Sequence, residues 1–130
     1  MSADHPLRTL ETIALVAVGG FAGSNARYLV GLFAPGAAGT LLVNAVGSAL
    51  LGVLLYSGLY AGTLSGESRT VLATGFLASF TTYSTFALET ARASSSWLLV
   101  VNVVASYALG FAGVLAGRAL ARRLVGEEAT

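Results

Sequence analysis

Apolar residues run through this chain in four long blocks, not in the short amphipathic patterns of a water-soluble fold. Residues 13–33, 40–61, 70–90 and 97–119 are each mostly apolar over roughly 20 positions, the length a helix needs to cross a hydrocarbon layer. Ala34-Pro35-Gly36, residues 62–68 and residues 91–96 separate the blocks and are rich in small and turn-forming types. Lipid offers no partner for a bare peptide group, so each block is predicted to be helical. The expected fold is an all-α membrane protein with a single four-helix transmembrane domain over residues 1–130, multi-pass in the cell (plasma) membrane and surrounded by lipid.

Composition supports this and narrows the chemistry. The chain is 55% hydrophobic and 10% charged, with a mean hydropathy of +0.79. A net charge of +1 gives no reason to expect a nucleic-acid partner. Cysteine is absent, which excludes disulfides, thiolate metal sites and a cysteine nucleophile. His5 lies in the polar N-terminal tail and reads as solvated. That leader carries Asp4 and Glu11 against Arg8, and three more blocks follow, so the first block reads as a retained helix and not a signal peptide. No constellation of nucleophile, base and metal ligands is present, and an enzyme is not expected.

An even number of spans places both termini on one side. Arg8, Arg69, Arg118, Arg122 and Arg123 fall on that side, against Arg92 and Arg27 on the other, which orients the termini to the cytoplasm. Small residues four apart recur at Gly19/Gly23, Ala45/Ala49, Gly58/Gly62 and Gly113/Gly117. Such stripes let helices approach closely in lipid. They serve either packing inside one four-helix subunit or a seam between two subunits, and spacing does not decide.

The polar residues inside the blocks carry the functional argument. Thr40, Asn44 and Ser48 lie at i, i+4 and i+8 and form one stripe on the second helix. An unpaired amide in hydrocarbon is costly, so the stripe must face protein or a water-lined path. Asn102 and Ser106 repeat the spacing in the fourth helix, with Tyr107 adjacent and Gly110 on the same face. Arg27, near the far end of the first helix, either snorkels to the interface, the favoured reading from depth, or gives an anion vestibule a positive potential. The third block holds "GFLASFTTYSTFALE", with hydroxyls at Ser79, Thr81, Thr82, Ser84 and Thr85 pointing all around a helix. That pattern suits a broken helix whose freed carbonyls lie in the protein interior and can hold a cation. Tyr83 and Phe86 share a face and present ring edges, the positive end of the aromatic quadrupole. No acid lies at the centre of a span, since Glu89 is near the end of the third, so carboxylate-driven antiport is poorly supported.

"GGFAGSNARYLVG", "GTLLVNAVGSALLG" and "GFLASFTTYSTFALE", in this order in successive spans, closely resemble the signatures of the Fluc (CrcB) fluoride channels. The resemblance implies an antiparallel, dual-topology dimer of four-helix subunits with a broken third helix. It implies two narrow pores that export fluoride passively and confer fluoride resistance, and a structural sodium ion held by backbone carbonyls at the centre. On this chain it places Asn44, Tyr83, Phe86, Thr40, Ser106, Thr82 and Ser84 along the fluoride path, Arg27 at the vestibule, and the sodium-binding carbonyls at Ala78 and Thr81. Three positions depart from the pattern. Tyr83 stands where a phenylalanine is usual, Ala78-Ser79 replaces paired glycines, so that a break needing positive φ is expected to be strained, and Gly110 stands where a second hydroxyl often follows Ser106. The arginine bias disfavours insertion in both orientations. A heterodimer with an oppositely oriented paralogue is therefore kept beside the homodimer, with this chain as a partner-dependent or non-conducting subunit. A small multidrug-type exporter has the right size, but the carboxylate it wants in the first span is absent.

Overall fold

The computed structural model describes residues 6–60, 62 and 64–127, and all the regular structure in them is helical. Asp4, His5 and the expected span end at Ala61 lie outside the described residues. Two long helices come first, α1 (Pro6–Phe33) and α2 (Ala37–Tyr60). A third segment follows in pieces: α3 (Gly66–Thr70), a π-helical stretch Val71–Leu77, α4 (Ala78–Phe80) and α5 (Tyr83–Ala91). The chain then closes with α6 (Ser96–Glu127). Four segments are long and apolar enough to cross a membrane: Pro6–Phe33, Ala37–Gly58, Gly66–Ala91 and Ser96–Gly126. The helices outrun the apolar blocks because a helix need not stop where the hydrocarbon does. The 32 residues of α6 extend about 48 Å at 1.5 Å per residue, against a core of about 30 Å.

The turn between α1 and α2 is built on Gly36, whose φ of 72° is open to glycine and strained for other residues. Its carbonyl accepts from the N–H groups of Gly39 and Thr40 at 3.0 and 3.2 Å, which starts α2.

The helices associate in two pairs. α2 packs along α6, and α1 packs along the first half of the third segment. Both contacts are backbone to backbone. A Cβ added at Gly117 would overlap the carbonyl oxygen of Ala49, and one at Gly113 would sit 2.7 Å from that of Ala45. A Cβ at Gly23 would likewise overlap the carbonyl of Phe76. The small-residue stripes on α1, α2 and α6 are therefore filled within one chain, where close approach gains dispersion contact that lipid would otherwise supply. At Gly58 the neighbour is the side chain of Arg69. Large apolar side chains point outward, Phe33 being 88% exposed in the single chain, as expected where the surroundings are not water. The buried apolar set is small: Val43, Leu54, Leu77, Phe80, Phe86 and Ala121.

The third segment is interrupted, but not where glycines were expected. Ala78 is helical at φ −64° and ψ −28°, and no described non-glycine residue has positive φ. The chain breaks three residues later, at Thr81 (φ −80°, ψ 162°) and Thr82 (φ −150°, ψ 122°). Both are extended, a region open to any residue, so the strain anticipated at Ala78-Ser79 does not arise. The break also changes the segment's partners. The π-helical stretch and α4 lie on α1, whereas α5 lies against α2 and α6.

Candidate functional site

Two extended residues inside a membrane-spanning segment expose peptide groups that a helix would have paired, and these must find partners or cost about 2–7 kcal/mol each in a dry environment. Asn44 meets the demand at Thr82. Its Nδ2 donates to the Thr82 carbonyl at 2.9 Å, and the Thr82 N–H donates to Asn44 Oδ1 at 2.8 Å. The amide thus mimics a neighbouring peptide, and the donor and acceptor on Thr82 fix which way it faces. Thr82 then caps α5. Its hydroxyl oxygen accepts from the Thr85 N–H at 3.2 Å and donates to Thr85 Oγ1 at 3.0 Å, with Ser84 Oγ at 3.4 Å.

Arg27 meets the demand at Thr81. Its Nη1 donates to the Thr81 carbonyl at 3.1 Å, and the side chain is only half-buried. The guanidinium is thus turned toward the break, whose freed carbonyl gives it a charge-assisted bond inside the chain. Thr81 uses its own N–H and hydroxyl locally, both bonding the Leu77 carbonyl, at 3.0 and 2.9 Å.

Around the break lie three concavities, each open on the surface of the single chain. Arg27, Thr40, Val43, Thr82, Thr85 and Glu89 line one of about 220 Å³. Asn44, Ser48, Ala78, Thr81, Thr82 and Tyr83 line a groove of about 410 Å³. Ser48, Ser106, Tyr107 and Gly110 line a third of about 240 Å³, between α2 and α6. Thr82 is shared by the first two and Ser48 by the last two, so hydroxyl-bearing residues link all three.

Of the residues singled out from sequence, Thr40, Thr82 and Phe86 are buried, while Arg27, Asn44, Thr81 and Ser106 are half-buried. Ser84 and Ala78 are exposed in the single chain. Tyr83 is 74% exposed, so its ring faces out of the subunit and not into its interior. The two rings still touch, centroid to centroid at 5.8 Å and tilted by 50°. Phe86 also meets Tyr107 edge-on, at 6.3 Å and 89°.

Three residues acquire a place that sequence reasoning did not give them. Tyr107 holds one side of the Phe86 ring. Glu89 lines the Arg27 pocket, and its Oε2 is buried without a hydrogen-bond partner; the available signal was its position four residues after Thr85. Thr90 accepts from Asn102 Nδ2 at 2.8 Å, joining α5 to α6. Among the described residues no group of three or more His, Cys, Asp or Glu side chains could hold a metal.

A family model described as "CrcB-like protein, Camphor Resistance (CrcB)" matches residues 14–118. The chain is 60% identical over 126 residues to a Haloarcula marismortui protein named Fluoride-specific ion channel FluC 1, covering 97% of this chain and 98% of that one. It is 48% identical over 124 residues to Fluoride-specific ion channel FluC 2 of Halobacterium salinarum, covering 94% and 96%. A Natronomonas pharaonis protein named Fluoride-specific ion channel FluC 1 is 48% identical over 114 residues, covering 86% and 95%. With four spanning helices and a match across nearly its whole length, the chain is a multi-pass membrane protein and belongs to the CrcB family, a family of channels and not of enzymes.

Proposed function

We propose that the chain is a fluoride channel subunit that lets cytoplasmic fluoride leave passively, down its gradient, through pores completed by a second subunit. The observation that carries this reading is the break at Thr81–Thr82, clasped by Asn44 and Arg27 and set beside the buried ring of Phe86. Fluoride holds water tightly, and a pore must replace that shell with donors spaced along the path. Arg27 raises the potential at one mouth. Hydroxyls of Thr40, Ser84 and Ser106 and the second N–H of Asn44 Nδ2 supply donors, while Thr82, whose own hydroxyl donates to Thr85, shapes the path beside them. The ring edges of Phe86 and Tyr83 supply weak positive potential where no donor stands. Tyr83 faces outward from the single chain, and in a dimer it would meet the partner's surface.

Each of the three concavities opens on the chain's surface, so none of them is by itself an enclosed conduit. A second copy laid antiparallel on the groove side would close it. The donor set at the centre fits a sodium ion. Asn44 takes the Thr82 N–H that would otherwise close a helical turn on the Ala78 carbonyl, and Thr81 keeps one carbonyl lone pair beside the one given to Arg27. Ala78 and Thr81 line the same groove, and two copies would offer four oxygens. Bound there, sodium would supply a structural positive charge that ties the two breaks together. The arginine bias, Arg8, Arg69, Arg118, Arg122 and Arg123 against Arg27 and Arg92, supports a second reading, in which the partner is an oppositely oriented paralogue.

Efflux from liposomes holding the purified chain tests the proposal, with chloride as the control anion. Fluoride efflux that needs no proton gradient, with chloride retained, is the expected result. Equal loss of both anions overturns it. Silence of the chain alone, relieved by co-reconstitution with such a paralogue, selects the second reading.

A further inference from the structure

The half-helix α5 is only nine residues long, about 13.5 Å, too short to be stable by itself. Its position is therefore set by whatever ties it down. One tie is the Asn44–Thr82 pair at its N-terminal end. The other is at Thr90, in its last turn, where Asn102 Nδ2 of α6 donates to the Thr90 hydroxyl oxygen at 2.8 Å. That hydroxyl in turn donates to the carbonyl of Phe86 at 2.7 Å. A threonine that bonds back four residues is common in helices. A second bond on the same oxygen, from an amide on another helix, is what gives this one a tertiary role.

Spacing makes the arrangement specific to the ring. Phe86 and Thr90 are four apart on α5, so the ring and the Thr90 tie lie along one stripe, while the Asn44 tie grips the main chain of Thr82, the residue that caps the helix. Asn102 is four residues before Ser106 on α6, and the next residue, Tyr107, meets the Phe86 ring edge-on. A shift of the Thr90 end along α6 would move the ring relative to Tyr107, because Phe86 lies one turn before Thr90 on the same short helix.

We propose that Asn102 and Thr90 form a polar clamp between α6 and α5 that sets where the Phe86 ring edge stands. Both are positioning residues, acting through Phe86 and not on the ion. The inference rests on the channel reading for its functional consequence, but the placement of the ring can be read separately.

Thr90→Val is nearly isosteric and removes both bonds; Thr90→Ser keeps them; Asn102→Leu removes the tie from the other side. Fluoride efflux is expected to fall at least tenfold in Thr90→Val and Asn102→Leu, and to stay within about twofold in Thr90→Ser. The double variant should be no slower than either single one, because both break the same link. The independent readout is the ¹⁹F resonance of 4-fluorophenylalanine placed at position 86. It should move in Thr90→Val and Asn102→Leu and hold in Thr90→Ser. An unmoved resonance with efflux at the native rate in Thr90→Val overturns the clamp. If the native chain passes no fluoride, the channel reading fails by itself, and the resonance in Thr90→Val still decides the clamp: moved supports it, unmoved overturns it. Should Asn102→Leu not assemble, Thr90→Val against Thr90→Ser gives the same decision.

Discussion

The α2–α6 pair and the third segment solve the same problem in opposite ways. Helices in lipid gain nothing from hiding apolar surface, so they must be held by contact or by polar bonds. α2 and α6 are unbroken and use contact, Gly113 and Gly117 seating on the carbonyls of Ala45 and Ala49. The third segment leans on α1 by the same means as far as Phe80 and then gives up its own ladder. Beyond that point side chains from three other helices hold it: Arg27 from α1, Asn44 from α2 and Asn102 from α6. Contact gives rigidity without chemistry, whereas the polar ties leave donors and carbonyls at membrane depth, where an ion could use them.

The contact half should be the easier to destroy outright. Gly117→Leu drives a side chain into the Ala49 carbonyl, a backbone atom that cannot swing aside, and costs at least the 1–3 kcal/mol of about one overpacked methylene group. We expect no monodisperse protein on size-exclusion chromatography. A native elution profile would mean the pair can spread and that the comparison is wrong on its firmer side.

The polar half should fail in function before it fails in fold. Asn44→Leu strands both peptide groups of Thr82, each worth about 1–3 kcal/mol. Efflux is expected to drop by about 100-fold, with the protein still recoverable at a lower melting temperature. Unchanged efflux would remove Asn44 from the path. Arg27→Gln keeps a donor for the Thr81 carbonyl but deletes the charge, and a drop of about tenfold is expected, shrinking as salt rises. A drop independent of ionic strength would make the arginine a structural tie alone. The smallest effect should come from Gly110→Ser. An added Cβ there has ordinary contact, 3.7 Å from Ser48 Oγ, so stability should shift by no more than about 0.5 kcal/mol. A large loss of stability would show the cavity beside Ser106 to be tighter than its walls imply.

The contact half was legible from sequence because its determinants are local and periodic. Apolar length fixed the four spans, and small residues four apart marked the stripes, although only the structure distributed them within one chain. The polar half was half legible. The crowd of hydroxyls from Ser79 to Thr85 indicated a break, and Asn44 stood out as an amide in hydrocarbon. The position of the break did not follow, since no glycine marks it; Thr81 and Thr82 can be extended because side chains 54 and 38 residues away donate to their carbonyls. Arg27 was read toward the interface for the same reason: its carbonyl exists only once the helix has opened. Tyr83 and Phe86 were read as one face, and their rings do meet at 5.8 Å; what spacing did not show is that Phe86 is covered by Tyr107 of α6 while Tyr83 stays exposed in the single chain.

The Asn44 amide grips main-chain atoms and reads nothing of the side chain attached to them. That grip therefore does not depend on the Thr82 side chain, which caps α5 instead, and proline, lacking the N–H, would undo half of it. The shape of the crossing is thus stored at position 44, in a different helix from the one whose course it dictates.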